Sequence, residues 1–124
     1  PPIGSPARAQ ALRWLLFVAT ELYPLVEIND YPERFAGDAD SAPAVRERAR
    51  SLWRERWLVV EGVIAGPWLL AEGFCITDVY IAVVSRWAQQ DAWRPAHVPR
   101  IEALVGAVAG RDRIAPVWRR HFGG

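Results

Sequence analysis

The sequence contains no methionine and no lysine, one cysteine and two histidines among its 124 residues. A chain without methionine is not a complete primary translation product, so the sequence is expected to be a piece of a longer protein. Its first residues, 1–5, then read as the remnant of a linker. The missing lysine leaves fifteen arginines as the cations, a usage that coding preference explains as readily as phosphate recognition. Fourteen acids offset them to a net charge of +1, and no run of five or six like charges occurs, which argues against a nucleic-acid surface. The single cysteine, Cys75, excludes an intrachain disulfide. With only His97 and His121 beside it, no short-spaced zinc pattern exists and no metal is expected. The longest apolar run, residues 14–19, is far below the roughly 18 residues of a membrane span, and no signal peptide opens the chain. Neither membrane association nor export is expected, and a reducing, cytoplasmic setting is the default.

What is present is a composition of 52% hydrophobic and 23% charged residues, in a length that makes one domain with its own core. Leu12, Leu15, Leu16, Ala19, Leu22, Tyr23 and Val26 recur at steps of three and four, the pattern of a helix that buries one face. Ser5-Pro6 is a suitable start, because serine can accept from a free first-turn amide and proline lacks only an N–H that would be unpaired there. Pro24 falls inside the pattern and should kink the helix near residues 20–23, or end it. Residues 31–43, with Pro32, Gly37, Asp38, Asp40, Ser41 and Pro43, read as a loop.

A second helix carries Val45, Ala49, Leu52, Trp53, Trp57, Val60 and Ile64 on one face. Arg46, Glu47, Arg50, Arg54 and Glu55 are read as its solvated side, and Gly66-Pro67 as its end. Ile76, Val79, Tyr80, Val83, Val84 and Trp87 mark a third helix, polar only near its ends and so expected to be the most buried. Val98, Ile101, Leu104, Val105 and Val108 mark a fourth that stops at Gly110, and Ile114, Val117 and Trp118 a short fifth. No segment alternates convincingly as a strand. The fold class is therefore all-α, a single bundle of about five helices over residues 1–124.

The most specific local signal is Gly73-Phe74-Cys75-Ile76-Thr77-Asp78-Val79. Cys75 falls at the N-cap, Asp78 at the third helical position, and Phe74 with Val79 at the two ends of a hydrophobic staple. The Asp78 charge suits the positive end of the helix dipole. Cys75 is a poorer acceptor than a hydroxyl, so Thr77 is a candidate helper in the cap.

This order of elements resembles the C-terminal helical domain of cytosolic glutathione transferases, whose capping box has Ser or Thr, two residues, then Asp. Tyr80, the run Ser85-Arg86-Trp87-Ala88 and the opening Ala11-Leu12-Arg13-Trp14-Leu15 are similar to the bacterial, beta-type members. The resemblance implies an absent thioredoxin-like N-terminal domain that holds glutathione and activates its thiol. It implies that this domain walls the site of a small hydrophobic electrophile and contributes to a homodimer. The chain alone would then lack a catalytic residue.

The resemblance places Phe17, Tyr23, Tyr80 and Trp87 near the electrophile. Tyr23 and Pro24 stand where beta-type enzymes have a histidine and a lysine, so both ionisable groups are gone. On residue type alone Tyr23 reads equally as a half-buried core tyrosine, and Tyr80 and Trp87, seven apart on one helix face, as core. Trp14 is expected in the core and Phe17 on the wall. Cys75 and Asp78 are expected to be structural. Two rival readings remain: a non-catalytic interaction module of the same fold, and an unrelated helical ligand domain of a regulator.

Overall fold

The computed structural model describes residues 1–88 and 92–123, and among these the regular elements are all helical. The first is α1, Pro6–Phe17, capped by Ser5, whose hydroxyl accepts from the Arg8 N–H at 3.2 Å. It runs through a π-helical turn, Val18–Leu22, into α2, Tyr23–Asp30. The kink expected at Pro24 is this turn. Proline cannot supply the next ladder donor, and the wider turn sends the Tyr23 N–H to the Val18 carbonyl instead.

Helix α3, Ala42–Glu61, follows a loop containing a short 3₁₀ turn, Pro32–Arg34. It ends at Gly62, before the expected Gly66-Pro67. Glycine weakens helix propagation there, and the Glu61 carboxylate is committed elsewhere: it accepts from the Arg100 and Ile101 N–H groups, each at 2.9 Å. Nor is the polar side of α3 merely solvated. Arg46 and Arg50 donate to the carbonyl and side-chain oxygens of buried Asn29 at 2.9 and 2.8 Å, fastening α3 to the end of α2.

Helix α4, Ile76–Val84, packs against α1, the π turn and α6, Pro99–Ala109. It buries Thr77, Asp78, Ile81, Ala82 and Val84, which makes it the central helix. A single-turn helix, α5, Trp93–His97, precedes α6, and α7, Ala115–Phe122, closes the described chain. Counting α1 to α2 as one kinked helix, the five expected helices are present and α5 is added. Their shared core centres on Trp53 and Trp57, both fully buried and set edge to face at 5.7 Å, with Val18, Leu22, Ile81, Ile101, Leu104 and Val108 around them.

The start of α4 locks the bundle. One Asp78 oxygen accepts from the Cys75 N–H at 2.7 Å, closing a capping box, and the other accepts from the Leu69 N–H at 2.8 Å, pinning the preceding loop. Thr77 turns away from the cap. Its hydroxyl donates to the Ala11 carbonyl at 3.0 Å, tying α4 to α1, because it lies on the face of α4 that looks at α1. Phe74 packs at 5.2 Å on Trp68 and lies under the Arg111 guanidinium.

Candidate functional site

The π turn also determines what α2 presents to solvent. After it, Leu22, Leu25 and Asn29 point inward, while Tyr23, Val26, Glu27 and Asp30, at steps of three, one and three, share the opposite stripe. That stripe forms one side of a groove of about 570 Å³. The other side is Arg86-Trp87-Ala88, the chain leaving α4, and one end is closed by Tyr31 and Arg34.

Tyr23 and Trp87 meet across the groove edge to face, ring centres 5.5 Å apart. This geometry places the positive edge of one ring on the negative face of the other. Tyr23 is 47% exposed, so its ring also offers surface to a ligand. Trp87 is the partition between this groove and an apolar one lined by Val79, Val83, Ile114, Val117 and Trp118. Tyr80 lies in a third depression, with Leu15, Ala19, Ile76, Val79 and Val83, close enough to Tyr23 for their hydroxyls to interact electrostatically.

Burial, and secondarily Tyr23, push the Tyr80 phenol above its ordinary value of 10.0. The phenol is therefore a hydrogen-bond donor across the neutral range. Because the folded state holds this proton more tightly, the stability it contributes is intact below the ordinary tyrosine range and is lost as pH rises through the raised value. Spectrophotometric titration should show a tyrosine transition above the ordinary range that Tyr80→Phe removes.

At the closed end of the groove, Arg34 covers the Tyr31 ring at 4.2 Å and reaches Glu27 at 3.4 Å, a solvent-exposed pair of little energetic weight. Behind the groove, Arg86 forms a two-point ion pair with Glu102 of α6, and Arg94 of α5 reaches the same carboxylate at 3.2 Å.

The structure thus brings Tyr23 and Trp87 together in the groove, sets Tyr80 in a separate depression, and places Phe17 in neither. Phe17 precedes the π turn and packs edge to face on Trp14 at 5.4 Å, away from the groove side chains. Cys75 is buried at the far end of α4, a nine-residue helix, from Arg86-Trp87-Ala88. Thr77 and Asp78 lie beside it at that end. Glu27, Asp30, Tyr31 and Arg34 were not singled out from the sequence. The stripe of residues 23, 26, 27 and 30 could have revealed the first two, had the helix been phased from Pro24 onward.

The groove supplies aromatic faces, phenol donors and charges of both signs, and no nucleophile paired with a base. Among the described residues no cluster of His, Cys, Asp and Glu could hold a metal, and no helix is long and apolar enough to cross a membrane.

Comparison with known proteins adds two similar sequences. The chain is 28% identical over 123 residues to the uncharacterized GST-like protein YncG of Escherichia coli (strain K12), covering 98% of this chain and 58% of that protein. It is 28% identical over 117 residues to the glutathione S-transferase GstA of Escherichia coli O157:H7, covering 91% of this chain and 53% of that one. The chain is thus similar to two bacterial glutathione transferase-like proteins. It spans just over half the length of these curated relatives, and its all-helical bundle fits the C-terminal domain of such proteins. No family model and no solved structure matches it.

Proposed function

We propose that this chain is the C-terminal helical domain of a glutathione transferase-like enzyme, and that the groove between α2 and Arg86-Trp87-Ala88 holds a small hydrophobic electrophile. The observation that carries this reading is the Tyr23–Trp87 ring pair lining an open groove, in a chain whose relatives are glutathione transferase-like. Glutathione is the co-substrate. It is held, and its thiol activated, by a thioredoxin-like N-terminal domain joined through residues 1–5. The enzyme works as a cytoplasmic homodimer.

In this division of labour the helical domain contributes position and polarity. Trp87 and Tyr23 confine the electrophile beside the thiolate, which replaces a chance encounter by an oriented one. The Tyr23 hydroxyl, on the groove wall, donates to the oxygen on which negative charge grows as the sulfur attacks. Whether the outcome is conjugation or reduction is decided by the electrophile and the N-terminal domain.

The residues 1–124 by themselves should then be catalytically silent. Mixed with glutathione and a chloronitrobenzene, the chain is expected to give no turnover and no saturable glutathione binding, and addition of the N-terminal domain should restore both. Turnover by residues 1–124 alone would overturn the reading. Tight capture of another protein's domain, with no turnover in the longer chain, would favour a non-catalytic interaction module.

A further inference from the structure

We propose that Glu102, outside the groove, is a positioning residue for its Trp87 wall, acting through Arg86; this rests on the assignment of that groove as the electrophile site. The three residues of the wall, Arg86, Trp87 and Ala88, follow the end of α4; the Arg86 and Trp87 N–H groups still bond the Val83 and Val84 carbonyls at 3.1 Å each, and the regular α-helical ladder stops there. Two further features fix them. Ala88 sits at φ 62°, a left-handed conformation that is unfavourable for a non-glycine residue and persists only where the surroundings impose it.

The second feature is the Arg86 side chain. Both its terminal nitrogens engage the two oxygens of Glu102, one at 3.2 Å and the other closer, and its Nε lies 3.4 Å from the Ser85 hydroxyl. Arg86 and Glu102 are largely buried, with 16% and 27% of their side chains exposed, and Arg94 of α5, buried to 6%, grips the same carboxylate. A two-point guanidinium–carboxylate pair fixes orientation as well as distance. Glu102 therefore anchors the chain on both sides of the wall, at residue 86 and at residue 94, to the rigid helix α6. Trp87 stands between these anchors, and its ring is what meets Tyr23.

The test is the affinity of anilinonaphthalene sulfonate for the chain, measured beside its melting temperature in four variants. Glu102→Gln keeps the size of the side chain and removes its charge. It is expected to weaken dye binding about fivefold or more at a temperature where the variant is folded, since small displacements of a binding wall have large effects. Glu61→Gln is the control: it loosens the start of the same helix α6, lowering the melting temperature without moving the affinity. Should Glu102→Gln not fold, Glu102→Asp keeps the charge but draws the carboxylate back by one methylene from the two-point pair with Arg86, and weaker binding by a folded Glu102→Asp chain supports the proposal.

Equal affinity in the folded Glu102→Gln chain, or in Glu102→Asp if only that folds, overturns the positioning role. So does a loss in Glu61→Gln as large as that in Glu102→Gln, which would make the effect one of general stability. The fourth variant, Tyr23→Ala, separates this from the groove assignment. If it leaves dye binding intact the dye is not in the groove, and the assignment of the site fails first.

Discussion

Replacing Asp78 with alanine should destabilise the fold by about 3–5 kcal/mol, among the largest effects of any single polar substitution in this chain. The carboxylate is fully buried, and each of its oxygens accepts from a backbone N–H, of Cys75 at 2.7 Å and of Leu69 at 2.8 Å. Alanine removes both acceptors at once and leaves two buried donors that water cannot reach. The unmade bonds, and not merely the lost ones, set the magnitude. Asp78→Asn is expected to recover about half, because its carbonyl oxygen serves one donor while its amide faces the other. Urea unfolding with an unchanged denaturant slope measures both. A cost below about 1 kcal/mol for Asp78→Ala would mean that the cap is not what joins α4 to its loop.

Trp53→Ala should cost a similar 3–5 kcal/mol, for a different reason. Trp53 is fully buried at the centre of the bundle, edge to face with Trp57 at 5.7 Å and with Trp93 at 6.0 Å. Its loss opens a cavity that three packed helices cannot close. Trp53→Phe should cost far less, on the order of 1–2 kcal/mol. The ring keeps most of the volume, and the indole N–H that it removes meets no acceptor in the core. Equal destabilisation by Phe and Ala would show that the indole N–H is satisfied and matters.

Much of this architecture could be read from residue spacing. The periodic apolar residues of α1, α3, α4 and α6 located those helices, since a one-sided core demands that period. Prolines mark the starts as well: α1, α2, α3, α6 and α7 each carry one within their first two positions, where its missing donor costs nothing. Only Pro6 was read that way from the sequence. Helix α5 escaped because five residues are too few to show a period, and its buried Arg94 reads as a surface residue until Glu102 is placed beside it.

The groove was legible in part. Tyr23, Tyr80 and Trp87 were named through the family resemblance; Tyr23 and Trp87 meet in the groove, while Tyr80 lines a separate depression. Phe17 was named as a wall residue of the first helix, and there it packs edge to face on Trp14, outside the groove lined by Tyr23 and Trp87. The Arg86–Glu102 pair joins residues sixteen apart, one beyond the end of α4 and the other on α6, a contact that sequence periodicity cannot express.

The central claim is that this domain positions the electrophile while another domain handles glutathione. Steady-state kinetics of the full-length enzyme carrying Trp87→Ala tests it most directly. The expected result is a KM for the electrophile raised about fivefold or more with the KM for glutathione unchanged. A variant that leaves the electrophile's KM untouched, or that shifts glutathione's instead, would contradict the account.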